Sequence, residues 1–128
     1  MNTDEATVVA EVRAAFDAYE AALVGNDVAT LDGLFWNDPR TTRFGVEEAL
    51  YGHAAIAAFR RERAVGDIDR EVTRVAITAF GRDAAIAFSE YRRKGSGRMG
   101  KQSQTWIRMA DGWRIVGAHV SLQPAADA

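Results

Sequence analysis

The sequence predicts an α+β fold in which three N-terminal helices pack on a curved, mainly antiparallel sheet, and three observations carry that prediction. Apolar residues recur at helical spacing through roughly the first half of the chain. From Ile68 onward the period changes to two, with turn signals at Gly81-Arg82-Asp83, Gly95-Ser96-Gly97 and Asp111-Gly112, the pattern of a four-strand meander. Between the second and third helical segments, Thr41 to Phe44 and Glu47 to Tyr51 read as two short strands hinged at Gly45. Helices followed by a long antiparallel run pack on one face of the sheet, and a pocket between the layers is the natural site.

Each element has its own local cause. The first helix is expected from about Asp4 to Val24, because Val8, Val12, Phe16, Tyr19 and Leu23 fall on one face. Thr3 is placed to cap it, Asp4 and Glu5 suit the positive end of its dipole, and Gly25 supplies a stop. Asn26 and Asp27 start a short second helix carrying Leu31, Leu34 and Phe35, which Asp38-Pro39 ends. A third helix turns Ile56 and Phe59 inward and closes at Gly66-Asp67, and Pro124 to Ala128 read as a frayed tail.

Length and composition bound the function. A chain of 128 residues fits one domain, 1–128, and its 48% apolar and 27% charged residues are those of an ordinary globular protein. Its apolar stretches are far too short to span a bilayer, and no leader pattern opens the chain, so the cytoplasm is the expected location. The net charge of −2 argues against a nucleic-acid partner. With no cysteine, two distant histidines and no clustered acidic ligands, no metal site is expected, and glycines placed singly in turns show no phosphate loop. Of the 16 cationic residues all but Lys94 and Lys101 are arginine, the side chain best suited to planar, bidentate carboxylate recognition.

The element order, with Tyr19-Glu20-Ala21-Ala22-Leu23 and Asn26-Asp27 near the start and Gly112-Trp113-Arg114-Ile115-Val116 through His119-Val120-Ser121 at the end, resembles the ketosteroid isomerase, NTF2-like and SnoaL-like superfamily. Leu34-Phe35-Trp36, Arg43-Phe44-Gly45, Leu50-Tyr51-Gly52 and Ser103-Gln104-Thr105-Trp106 are similar to a narrower AtzH-like group that contains carboxybiuret decarboxylases and oxalurate-associated relatives. The resemblance implies a cone-shaped fold, a small anionic substrate, and a homodimer or higher homo-oligomer formed through the sheet. It also implies a cofactor-independent decarboxylase of N-carboxylated urea or biuret compounds.

The resemblance singles out particular residues. Tyr19 matches a tyrosine that donates to a developing oxyanion in ketosteroid isomerases, the example by which the handling of such charge is generally illustrated. The alternative is a core tyrosine. Arg43 falls near the isomerases' general-base aspartate, which removes the base and favours an acidic substrate; a slip of one residue would put Thr42 or Phe44 there instead. Gln104 is expected to read amide groups and Trp106 to wall the pocket, against the alternatives of a dimer-face polar residue and plain core. His119 is a further substrate-binding candidate, with Val120 taking its place if a bulge near Asp111-Gly112 reverses the register. His53 reads as a residue near a helix start without a role. Arg60, Arg61 and Arg63 read as a solvated face, with only Arg60 drawing notice, and Arg92, Arg93 and Lys94 as charge near a hairpin tip. Arg43 is expected to orient substrate or meet charge on its oxygen, because gripping the departing carboxylate would stabilise the ground state. A noncatalytic binding or assembly module, and a SnoaL-like isomerase or hydratase, are the competing readings.

Overall fold

A computed structural model describes residues 1–124, so most of the segment read as a frayed tail lies outside the described residues. Helix α1 spans Ala6–Val24 and buries Val8, Val12, Phe16, Tyr19, Ala22 and Leu23, the stripe its spacing predicts. Its start differs from expectation. Thr3 does not cap the helix; it forms a bridge with Phe80, and Asp4 takes a left-handed φ of 55°. The Asp4 N–H donates to the Ala79 carbonyl, and the Ala79 N–H donates to Asp4 Oδ1, both at 2.9 Å. The chain start is therefore spent on the exposed edge of the sheet, satisfying strand groups that would otherwise stand unpaired. At the other end Gly25 closes the helix with its N–H on Ala21, but the left-handed residue is Asn26, at φ 50°.

Helix α2 spans Val28–Leu34, and Asp27 caps it by accepting from the Thr30 N–H at 3.2 Å and the Thr30 hydroxyl at 2.6 Å. The chain then extends. Phe35 bridges to Ile115, and the buried Thr41 donates its hydroxyl to the Trp36 carbonyl at 2.7 Å. Strands β1 (Thr42–Phe44) and β2 (Ala49–Tyr51) form the expected small hairpin. Gly52 joins β2 to helix α3 (His53–Glu62) at φ 94°, where a side chain would be strained.

Strands β3 (Arg70–Phe80), β4 (Ala84–Arg93), β5 (Met99–Met109) and β6 (Gly112–Leu122) make the antiparallel meander. The six strands run in the order β2-β1-β6-β5-β4-β3, and only β1 and β6 pair in parallel. The helices cover one face of this curved sheet, and Phe16, Leu31, Phe35, Ile56, Trp106 and Ile115 fill the space between. Two irregularities aim side chains. One lies between Val72 and Arg74 on β3; the other leaves Val116 as an extra residue on β6, because Thr105 pairs with Gly117 while Trp106 pairs with Ile115. Trp113 and Ile115 face the helices before that bulge, and the even-numbered Val120 faces them after it.

Candidate active site

Between the helices and the inner sheet face lies a cavity of about 470 Å³, to which every layer contributes. Helix α1 supplies Tyr19 and Leu23, the β1–β2 hairpin Arg43, Val46 and Glu48, and α3 with the following loop Phe59, Arg63 and Asp67. The meander supplies Arg70, Tyr91, Arg93, Gln102 and Val120. Leu23, Val46, Phe59 and Val120 make apolar wall, and four arginines and two carboxylates make the charged lining.

Tyr19 is buried to 2% exposure, its ring tilted against Phe35 at 6.2 Å, and its hydroxyl takes no hydrogen-bond partner among the described residues. Arg43 turns inward rather than its neighbours. It sits opposite Ala118 of β6, whose other partner is the buried Gln104, whereas Phe44 sits opposite the exposed His119 and packs edge-on against it. Arg43 Nη1 donates to Glu48 Oε1 at 3.1 Å, and its guanidinium lies 5.8 Å from the Phe59 ring centre. The Glu48 carboxylate lies over Gly45, in the space a Cβ there would take.

Arg70 is held most tightly. Its Nε and Nη2 donate to the two carboxylate oxygens of Glu20 at 3.0 and 2.7 Å, its guanidinium stacks 4.1 Å from the Tyr91 ring centre, and Nη2 reaches Gln102 Oε1 at 3.4 Å. Burial opposes its charge most strongly, yet the hydrogen bonds and attraction of Glu20 outweigh this and raise its pKa. Tyr91 crosses over Gly100, where any Cβ would strike the ring, and donates its hydroxyl to the Ser121 carbonyl at 3.0 Å. Burial raises its phenol above the usual value against the pull of Arg70 and Arg93.

Arg93 pairs with Asp67 at 3.5 Å. Arg63 has no carboxylate partner among the described residues. Its Nη2 donates to Asn26 Oδ1 at 3.4 Å, and its Nε is buried without a partner. Burial, and then the charges of Arg60, Arg43 and Arg70, hold its pKa below the ordinary value, with Tyr19 acting in the other direction. With Glu20 set against Arg70, Arg63 is the one cation of the lining left over.

The remaining candidates lie elsewhere. Gln104 faces the helices as expected but lies deeper than the cavity wall, 1% exposed, accepting from Trp106 Nε1 at 3.1 Å while its own Nε2 is unpartnered. Trp106 is fully buried core. The same strand face brings Gln102 to the cavity instead, since it stands two residues nearer the open end. The β6 bulge sends His119 to the outer sheet face and Val120 inward, which corrects the expectation for His119. His53 Nε2 bonds the Asp32 carbonyl at 2.8 Å.

The basic cluster on α3 is not one solvated face. Arg61 is 62% exposed, but the Arg60 side chain is 4% exposed, donating to Asp32 Oδ1 at 3.0 Å over the Phe35 ring. Burial pushes Arg60 below its ordinary pKa. Arg63, Arg70, Arg93 and Gln102, with Glu48, Asp67 and Tyr91, are among the lining residues that sequence reasoning missed. The one sequence signal for Arg70 is its place at the first inward position of β3.

Helices on a curved six-stranded sheet, enclosing a polar cavity at one end, define the NTF2-like, cystatin-like class of α+β proteins. Within that class the chain belongs to the AtzH-like family, whose model matches residues 1–126. A crystal structure of a DUF3225-family protein from Pectobacterium atrosepticum is 51% identical, with a TM-score of 0.92 and 95% of each chain covered. A cystatin-like fold protein from Burkholderia xenovorans is 41% identical, with a TM-score of 0.91, covering 97% of this chain and 99% of its own. An NTF2-like protein from Pseudomonas putida shares the fold alone, at 17% identity and a TM-score of 0.79, with 90% and 86% of the two chains covered. No curated protein matches. Among the described residues no helix is long and apolar enough to cross a membrane.

Proposed function

We propose that this protein is a cytoplasmic, cofactor-independent decarboxylase of a small N-carboxylated urea or biuret compound, converting 1-carboxybiuret to biuret and carbon dioxide. The observation that carries the reading is Tyr19, whose unpartnered hydroxyl belongs to a cavity with one more arginine than its carboxylates balance. The N–C bond to the carboxylate breaks, carbon dioxide leaves, and the electron pair stays on nitrogen and the adjoining carbonyl oxygen. Tyr19 gives its proton to that nitrogen and is reprotonated from water. A phenolate left behind is met by Arg60, Arg63 and Arg70, each of whose charged forms gains from attraction to it. Arg43, tethered by Glu48, orients the substrate. Leu23, Val46, Phe59 and Val120 offer the departing carbon dioxide an apolar surface, which favours the neutral product over the carboxylate.

An open cavity with a free phenol supports an enzyme over an assembly module, and both carboxylates of the lining are tied to arginines, which disfavours an isomerase base. The test generates carboxybiuret in situ with its upstream hydrolase, adds the protein, and follows biuret and carbon dioxide. No acceleration over the spontaneous rate removes the assignment. The proposal includes self-association through the outer sheet face, where Phe88 is 56% exposed beside a groove of about 370 Å³ lined also by Arg74, Glu90 and Lys101. Light scattering that reads a monomer at all concentrations removes that part.

A further inference from the structure

Two buried donors of the cavity wall lack an acceptor. Arg63 stands at the end of α3, its backbone N–H on the Phe59 carbonyl, and its guanidinium spends only Nη2, on the neutral Asn26 amide. Its Nε has no partner. Gln102 is 6% exposed, and its Oε1 accepts from Arg70. That bond fixes which way the amide points, and it leaves the buried Nε2 without a partner. Buried polar groups in folded proteins are nearly always hydrogen-bonded, so unfilled donors in a cavity wall mark where a ligand's acceptors belong. Both residues share one lining with Tyr19, Arg43 and Arg70.

We infer that Arg63 and Gln102 form the subsite for the part of the substrate that stays behind, taking the urea carbonyl oxygen next to the bond that breaks. This rests on the decarboxylase reading and adds to it the group that receives the charge. As the N–C bond breaks, the electron pair spreads from nitrogen onto that oxygen, which then accepts more strongly from Arg63 than the neutral carbonyl did. The interaction strengthens along the reaction, as grip on the departing carboxylate would not. A substrate for this subsite carries a carbonyl beside the N-carboxyl group, so acylated carbamates of the urea and biuret type fit and simple N-carboxylated amines do not.

Malonamate tests the subsite, because its methylene replaces the nitrogen of an N-carboxylated urea and keeps both the amide carbonyl and the carboxylate. Its dissociation constant is measured by calorimetry for the wild type, Arg63→Gln, Gln102→Leu and Arg61→Gln. The expectation is a roughly tenfold or greater weakening in Arg63→Gln, a smaller weakening in Gln102→Leu, and no change in Arg61→Gln, whose side chain pairs with Asp32 in solvent. With carboxybiuret, Arg63→Gln should lower kcat by more than it raises KM. Wild-type affinity for malonamate in both cavity variants overturns the subsite even if the wild type decarboxylates carboxybiuret. A wild type that binds malonamate through Arg63 without accelerating decarboxylation instead removes the reaction and keeps the subsite.

Discussion

Replacing Glu20 with Gln should cost this protein far more than a surface ion pair would. The Arg70 side chain is 7% exposed and Glu20 13%, and two short hydrogen bonds join them. Removing one partner of a buried pair typically costs about 3–5 kcal/mol, because the other charge is left without compensation. Here the Tyr91 ring and the Gln102 carbonyl remain to Arg70, which places the expectation near the lower end, about 3 kcal/mol. For 128 residues, an unfolding entropy of about 2.1 cal/mol/K per residue turns that into a fall in Tm of about 11 °C. Thermal melts and urea titrations measure it. The partner variant, Arg70→Met with Glu20→Gln, removes both charges and should recover about 2 kcal/mol of the loss. Because the Arg70 pKa is raised, its stabilisation is complete below arginine's unfolded pKa and is lost only as pH climbs through the folded value, so the effect should be flat across neutral pH. A loss under about 1 kcal/mol, the range of exposed pairs, would refute the reasoning.

Tyr19→Phe should fold normally and reduce carboxybiuret turnover by roughly a hundredfold or more in kcat; full activity removes Tyr19 as the acid. Gly100→Val drives a side chain into the Tyr91 ring, and the overpacking should cost about 1–3 kcal/mol in urea denaturation; wild-type stability contradicts that placement. The Glu11 carboxyl is held below its usual pKa first by the Trp113 indole N–H and then by Arg108. That stabilisation is present above the ordinary carboxylate range and lost as pH falls through the lower folded value, so Glu11→Gln should flatten the acid limb of a Trp-fluorescence stability profile. Identical limbs would exclude the contribution.

The fold was legible because its cues are local. The helical stripe from Val8 to Leu23, the switch to alternation after Ile68 and the three meander turns each sit within one element and its neighbours in sequence. Thr3 was misread because its partner Phe80, like Ala79 that pairs with the adjacent Asp4, is more than half the chain away. Arg43 drew attention only through the family resemblance, counted from Leu34-Phe35, and Arg70 drew none, since what holds it in the cavity wall is Glu20, fifty positions earlier. Arg60 and Arg61 are adjacent in sequence, and only the packing of α3 on α2 decides that one is buried and the other solvated. Gln102 and Gln104 share a strand face, and alternation cannot say which stands at cavity depth.

The extra residue at Val116 has a consequence for how this cavity can be altered. A strand with a bulge holds two halves in opposite numerical phase, which is how the odd-numbered Ile115 and the even-numbered Val120 come to face the same side. Excising Val116 would put Gly117 directly after Ile115 in its present pairing with Thr105, a regular ladder in which Val120 still faces the cavity beside Gln102 and His119 still faces the outer side. The extra residue is thus a spare one: β6 can lose it and keep the same wall, giving up only the local kink and the added twist.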